Sequence, residues 1–331
     1  MKKEIFFVGD FVTDTGPGVA NRTMKKGFSG RDDVIFSLKQ GKIARVPELL
    51  WGILVSESVC FCSYSRSNIW AMRLCRLLRK KTGVIIHGFL EEESRIAGDD
   101  PAVVEAFAEY EKKIYPMADK LICVSGNSME QFIEMKPEYK EKVTYIYNAF
   151  EPELHEESVK AADKAAGTYT IVSIGGGMRR KNNLAVCRAV KKLRDKGYDI
   201  KYIVIGPKES DGEEIAVCDI TEYRDHMPHD EILKVMRNAD LYIQNSIFET
   251  FGLSPVEALF AGCSLLVSRH VGMRSLIKDV DGFVINDDSE IEQKIVETME
   301  KPNHGELLEH FDREAVKPVN VAARLYDIMR K

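Results

Sequence analysis

The sequence predicts an α/β protein made of two doubly wound, Rossmann-like domains facing a central cleft, and three observations carry that expectation. Short apolar runs alternate with longer amphipathic segments along the chain, the pattern of strands and crossover helices in a parallel sheet. The series begins twice, near Glu4 and near Thr168, each time as a strand running into a glycine-containing loop and then a helix. Between the two series, residues 151–167 are acidic, rich in Ala and Lys and without a β-branched cluster, which reads as a linker. A chain of 331 residues has room for two domains of the usual ~100–200 residues. The expected division is 1–150, a linker at 151–167, 168–318, and a terminal helix at 319–331.

Taken in order, the first-domain strands are EIFFVG, DVIFSL, SVCFCSY, GVIIHG, KLICVS and VTYIY, with helices such as NIWAMRLCRLLRKK and PAVVEAFAEYEKKIYPM between them. The start, MKKEIFFVGDF, has the lysines and apolar run of a signal peptide. That run breaks at Gly9-Asp10, short of the ~7–15 apolar residues such a peptide needs, so it reads as a first buried strand. The second series is TYTIVSIGG, helix NNLAVCRAVKKLRDKG, KYIVIG, helix HDEILKVMRNA, LYIQNS, helix PVEALFAG and strand SLLVS. In such sheets ligands bind outside the carboxyl ends of the strands.

Composition narrows the function. No apolar run approaches the ~20 residues of a membrane span, and a net charge of −5 argues against a nucleic-acid partner. Seven cysteines without a CxxC pair favour a reduced, cytoplasmic protein over a disulfide framework or a metal site. Cys60 and Cys62 alternate on one strand face and are read as packing. Residues 1–150 carry 22 Lys and Arg against 20 Asp and Glu, so the acidity lies in the second half.

Two loops of the second half seek anions. The strand LYIQNS leads into Ile247-Phe248-Glu249 and then Phe251-Gly252-Leu253. Ser254, Pro255 and Glu257 follow with the spacing of an N-cap, N1 and N3, predicting a capping box. The positive end of that helix would face the cleft, and Gly252 would let backbone approach a ligand. Glu249 sits in the loop among apolar neighbours, where a carboxylate can accept polyol hydroxyls. Glu257 reads equally well as a cap or as a ligand. The loop TYTIVSIGGGMRRKNN fails the dinucleotide fingerprint, because Arg180 stands where a third glycine would follow Gly175 and Gly177. Arg179, Arg180 and Lys181 at a helix start oppose its dipole unless an anion neutralises them. Two such loops suggest a diphosphate. In the first half, Gly16 and Gly18 would let the loop after strand one approach that ligand, or simply form a turn, and His87 ends a buried strand at its carboxyl edge.

These residues carry a resemblance. NADLYIQNSIFETFGLSPVEALFAG, with Glu249 and Glu257 either side of Phe-Gly-Leu, resembles the signature of retaining nucleotide-sugar glycosyltransferases of family 4, which have the GT-B fold. GTYTIVSIGGGMRRKNN is similar to that family's glycine loop, and VSRHVGMRSLIKDVDGFVIND to the stretch after the double-Glu helix. ADKLICVSGNS and YIYNAFEPE resemble the end of its first domain, and GVIIHGF the strand bearing a cleft-facing His. One departure stands out: most members carry an Arg where this chain has Gly176, and Arg179 or Arg180 would replace its charge.

The resemblance implies an acceptor-side first domain, a donor-binding second domain, and a final helix crossing back to the first. It implies transfer of a sugar from a UDP- or GDP-sugar to a glycan or lipid-linked acceptor, in polysaccharide or glycoconjugate biosynthesis, with retention. Lys181, helped by Arg180, would neutralise the diphosphate, with no cofactor or metal. Glu249 would hold the sugar, Glu257 the ribose, and backbone near Phe251, Gly252 and Leu253 the sugar and phosphate, with Gly16, Gly18, Gly177 and Arg179 nearby. Asp279-x-Asp281 reads as a turn. Helix 69–81, with Trp70, Met72, Leu74, Leu77 and Leu78 among five basic residues, would allow peripheral contact with the inner face of a membrane, though such a helix also packs simply on its sheet. A nucleotide-sugar 2-epimerase and a non-catalytic partner subunit of the same fold are the alternatives.

Overall fold

The computed structural model describes residues 2–13, 15–39, 42–151 and 167–331, with the backbone alone at Lys42 and Ile43. Most of the expected linker, 152–166, lies outside the described residues. The chain divides into two compact units, 1–151 with 313–331, and 152–312.

The first unit has a six-stranded sheet in the order β2-β1-β3-β4-β5-β6, built from β1 (Lys3–Val8), β2 (Val34–Phe36), β3 (Ser56–Phe61), β4 (Lys81–Ile86), β5 (Lys120–Cys123) and β6 (Val143–Tyr145). Every pairing is parallel. A parallel sheet is covered on both faces, so its strands are apolar runs rather than alternations. Ile5, Phe6, Phe7 and Val8 are all buried for that reason. The helices are α1 (Gly16–Lys26), α2 (Lys42–Val55), α3 (Ser67–Leu77), α4 (Leu90–Ala97), α5 (Pro101–Ile114) and α6 (Gly126–Met135). Cys60 and Cys62 are both buried.

The second unit has its own parallel sheet, in the order β12-β11-β10-β7-β8-β9. Its strands are β7 (Tyr169–Ile174), β8 (Ile200–Ile205), β9 (Thr221–Arg224), β10 (Leu241–Gln244), β11 (Ser264–Ser268) and β12 (Val284–Ile285). The short β9 escapes the sequence reading because it has no apolar run. The helices are α7 (Asn183–Asp195), α8 (Gly212–Ala216), α9 (His229–Arg237), α10 (Leu253–Phe260), α11 (Ile291–Glu300) and α12 (His304–Glu309). Strand order reverses between β7 and β10, so the loops leaving these two strands flank the crevice where doubly wound sheets bind ligands.

The last elements, α13 (Arg313–Val316) and α14 (Pro318–Arg330), belong to the first unit. Tyr326 donates to Asp33 Oδ2 at 2.7 Å while the Arg31 guanidinium lies 3.7 Å from its ring centroid. Lys81 Nζ reaches the Arg330 carbonyl at 2.8 Å.

Helix 69–81 is shorter than its sequence suggests. α3 ends at Leu77, Arg79 takes a left-handed φ of 53°, and Lys81 already opens β4. Its apolar face is core, with Ala71, Met72 and Cys75 fully buried. Among the described residues no helix is long and apolar enough to cross a membrane.

Candidate functional site

The site in the second unit is built on the two loops that leave β7 and β10. After β7 the chain runs through Gly175, Gly176 and Gly177 into a 3₁₀ turn at Arg179–Lys181 and then α7. A Cβ on Gly176 would lie 2.1 Å from the Pro207 carbonyl oxygen, and one on Gly177 1.8 Å from that of Lys208. Both glycines are therefore demanded by the loop packed beneath them. Their amides are engaged there too: Gly176 N–H donates to Ile205 O at 2.9 Å and Gly177 N–H to Pro207 O at 2.8 Å. The amide of Gly177 and the space beside it are thus both taken by the protein's own loop. The backbone also has no room for an Arg at 176, so positive charge must come from later in the loop.

It comes from Lys181 and Arg180. Both meet Glu249, in the loop after β10: Lys181 Nζ forms a close ion pair with Glu249 Oε2, and Arg180 Nη1 lies 3.3 Å from the same oxygen. Arg179, by contrast, is exposed. The Lys181 and Glu249 side chains are only 12% and 14% exposed, so the pair is shielded from solvent screening. Burial alone pushes the Glu249 carboxyl up. The charges and hydrogen bonds of Lys181 and Arg180 outweigh that push and hold it below its usual value.

Gln244, the last residue of β10, extends the network. Its Nε2 donates to Glu249 Oε2 at 3.1 Å, and its Oε1 accepts the Ser254 hydroxyl at 3.0 Å, which itself accepts from the buried Tyr242 hydroxyl at 2.8 Å. The sequence reading missed Gln244; the signal available was a polar residue ending an apolar strand on the same face as Tyr242. The two loops are joined directly as well. Ile247 N–H donates to Arg180 O at 2.8 Å, and Asp288 accepts from Asn182 at 3.1 Å and from Asn245 at 2.7 Å. Fixed on both sides, the cations and the carboxylate lose little rotamer freedom on meeting a ligand.

The capping box does not form. α10 starts two residues earlier than expected, at Leu253, with Gly252 at the N-cap and no side-chain cap. Ser254 is turned towards Gln244 and Tyr242. Gly252 has a φ of 88°, and a Cβ there would press within 2.9 Å of Val271 Cγ1, so glycine is required by conformation as well as by space. The preceding loop is pinned from behind, Gly272 N–H donating to Glu249 O at 3.2 Å and Met273 N–H to Phe251 O at 2.7 Å. Phe251 is buried and Leu253 half-buried. Relieved of capping, Glu257 faces His229, whose Nε2 lies 2.9 Å from Glu257 Oε1.

In the first unit, Gly16 and Gly18 open α1. The Thr15 hydroxyl caps this helix by accepting from Gly18 N–H at 3.2 Å, and a Cβ on Gly18 would meet Thr13 O at 2.4 Å. Gly18 is thus a turn residue with its amide engaged, while nothing lies within 4 Å of a Cβ at Gly16. His87, just past β4, points its Nε2 at Asn21 Oδ1, 3.0 Å away. Asn21 donates its amide hydrogens to Asp10 O at 3.1 Å and Cys62 O at 2.9 Å. Its oxygen must therefore accept, which places the His87 proton on Nε2. Burial pushes the His87 pKa down to about 4, leaving it neutral at physiological pH. Asn21, His87, Tyr147 and Asn148 line a small recess in this unit. Among the described residues no three His, Cys, Asp or Glu side chains converge as a metal site. Asp279-x-Asp281 lies in a turn, Val284 N–H donating to Asp281 O.

Residues 155–317 match the family described as glycosyl transferases group 1. The chain is similar to the phosphatidylinositol N-acetylglucosaminyltransferase GPI3 subunit of Saccharomyces cerevisiae, 29% identical over 166 residues, 45% of this chain and 35% of the yeast protein. The match thus spans about a third of that relative's length. Among solved structures, HepE of Anabaena in complex with UDP and glucose superposes with a TM-score of 0.71 at 13% identity, covering 99% of both chains. Sucrose-phosphate synthase of Thermosynechococcus elongatus also gives 0.71, at 15% identity, covering 99% of this chain and 98% of that one. Its second unit thus matches the glycosyl transferases of group 1, and over its whole length the chain has the GT-B fold.

Proposed function

We propose that the protein is a glycosyltransferase that moves a sugar from a UDP- or GDP-sugar to a glycan or lipid-linked acceptor, with retention of configuration and without a divalent metal. The observation that carries this reading is the Lys181–Arg180–Glu249 cluster at the point where strand order reverses. A diphosphate entering there meets two fixed cations and displaces Glu249 from them, freeing its carboxylate for sugar hydroxyls. As the bond from sugar to phosphate breaks, negative charge grows on the leaving diphosphate, and preorganised cations stabilise that charge more than they stabilise the ground state. Glu257, at the side of α10, accepts the ribose hydroxyls in place of His229. The uncapped first turn of α10 offers amides to the donor through Phe251, Gly252 and Leu253. The departing phosphate takes the proton of the attacking acceptor hydroxyl on the same face. Donor binding falls to 168–318 and acceptor binding to 1–150, with His87 on that side and 151–167 as the link. The UDP and glucose named in the HepE complex and the sugar-transferring yeast relative support this assignment.

The test is a thermal-shift panel of UDP, GDP, ADP and their sugars, followed by product analysis with EDTA present. A true donor stabilises the fold by RT ln(1 + [L]/Kd) and supports transfer in EDTA. Activity lost in EDTA and restored by Mg²⁺ or Mn²⁺ refutes metal independence. A donor whose sugar changes stereochemistry without any acceptor makes the protein an epimerase, and binding without turnover makes it an inactive subunit.

A further inference from the structure

We propose that the first unit docks on an anionic lipid bilayer through the outward face of α2 together with the end of α3. The inference is independent of the reaction proposed above. α2 is apolar on two sides. One side faces the sheet, where Leu49 and Ile53 are completely buried. The other carries Val46, Pro47, Leu50, Trp51 and Leu54, at i, i+1, i+4, i+5 and i+8 and therefore in one stripe. Among the described residues nothing covers that stripe: Trp51 is 55% and Leu54 60% exposed. Lys80 brings the end of α3 alongside, its Nζ donating to Leu54 O at 3.3 Å and Ser56 O at 2.5 Å. There Leu77, 79% exposed, and Leu78 enlarge the apolar area. Scattered exposed apolar residues need no explanation, but a contiguous patch on a soluble chain marks an interaction surface.

Charge identifies the partner. Residues 38–81 contain nine Lys and Arg against two acidic residues, in a chain whose net charge is −5. Both acidic residues are engaged: Glu48 accepts from Leu38 N–H at 2.8 Å and from Lys39 N–H, and Glu57 pairs with Lys2 at 2.7 Å. Arg73, Arg76 and Arg79 are exposed beside the patch. A Trp/Leu/Val stripe rimmed by Arg is the chemistry of an element lying in an anionic membrane interface. The structure also adds α2 to the contact the sequence placed at 69–81 and leaves α3 only its exposed arginines and its end. The apolar face of α3 is core, and Lys80 and Lys81 hold backbone carbonyls.

The full chain is co-sedimented with vesicles of phosphatidylcholine alone and of equal parts phosphatidylcholine and phosphatidylglycerol. The expected result is binding to the anionic vesicles that weakens with added salt, with little on neutral ones. Trp51→Ala with Leu54→Ala should lower partitioning at least about tenfold, since binding scales with the apolar area inserted. Arg73→Gln with Arg76→Gln should lower it roughly 25-fold on anionic vesicles, about fivefold per charge. All four positions are exposed, so far-UV circular dichroism and melting temperature should match the wild type. In a Trp70→Phe background, Trp51 emission should shift to the blue on binding. Equal partitioning on both vesicles, no partitioning, or unchanged Trp51 emission on binding would overturn the proposal. So would a dimer abolished by Trp51→Ala in a protein that ignores vesicles, which assigns the face to a second copy.

Discussion

Replacing Glu249 by Gln tests the buried cluster most directly. Gln keeps the shape and one acceptor oxygen but removes the charge that Lys181 and Arg180 share. Deleting one partner of a buried ion pair costs ~3–5 kcal/mol when the other charge is left wholly uncompensated. Here a neutral acceptor remains and Arg180 is a quarter exposed, so a loss of about 2 kcal/mol is expected. For a domain of this size that lowers the melting temperature by roughly 4–8 °C. The loss should depend on pH. The folded Glu249 carboxyl is depressed below its usual 4.5, so its stabilisation is complete above that value and lost as pH falls through the folded pKa. Wild type and variant should converge in acid. Nucleotide binding should move the opposite way. With the competing carboxylate gone, UDP or GDP meets Lys181 and Arg180 without that rival and should bind about tenfold tighter, a gain of about 1.4 kcal/mol. Transfer should collapse, because the sugar loses its acceptor. Urea unfolding, titration calorimetry with the nucleoside diphosphate and a transfer assay measure the three effects. Unchanged stability together with unchanged or weaker nucleotide binding would show that Glu249 does not hold the cations in solution.

Lys181→Ala should lower turnover at saturating donor by at least ~100-fold; undiminished turnover would remove it from the diphosphate. Arg180→Ala should hurt more than Arg179→Ala, because only Arg180 reaches the buried carboxylate, and a reversed order in the same assay would count against that geometry. Glu257→Gln should weaken donor binding about tenfold, about 1.4 kcal/mol, with little change in melting temperature, since this side chain caps nothing; a stability loss without a binding loss would contradict both points. His87, depressed from 6.5 to about 4, contributes stability that is complete above pH 6.5 and declines as pH falls towards 4, by about 2 kcal/mol at pH 5. His87→Gln should flatten that part of the stability–pH curve, and an unchanged slope would place His87 in a more exposed setting.

Much of the architecture was legible because its signals are local. A strand buried on both faces must be an apolar run, so KEIFFV, SLLVS and their neighbours announced themselves. The shorter β9, held by its neighbours and not by apolar sequence, did not. The loops bearing Lys181 and Glu249 were found because glycines, clustered cations and a lone carboxylate make little sense in a strand-end loop without a ligand.

Partner choice was not legible, because it depends on which distant loops the sheet brings together. Ser254, Pro255 and Glu257 spell a capping box along the chain. In the fold, however, the buried Tyr242 hydroxyl and Gln244 claim the Ser254 side chain, and the helix begins on Gly252. Nor does the sequence show that Lys208 and Pro207 take the space and the amide of Gly177. The basic run 69–81 read as one helix, yet Lys81 is claimed by the sheet and Lys80 by the carbonyls at the end of α2. Sequence alone determined that the chain holds two doubly wound domains and that the second carries a cation-bearing glycine loop and a carboxylate loop at its strand ends. The tertiary structure decided that Arg180, not Arg179, joins Lys181 on Glu249, because reversing strand order between β7 and β10 places those loops side by side and buries the charges that meet there.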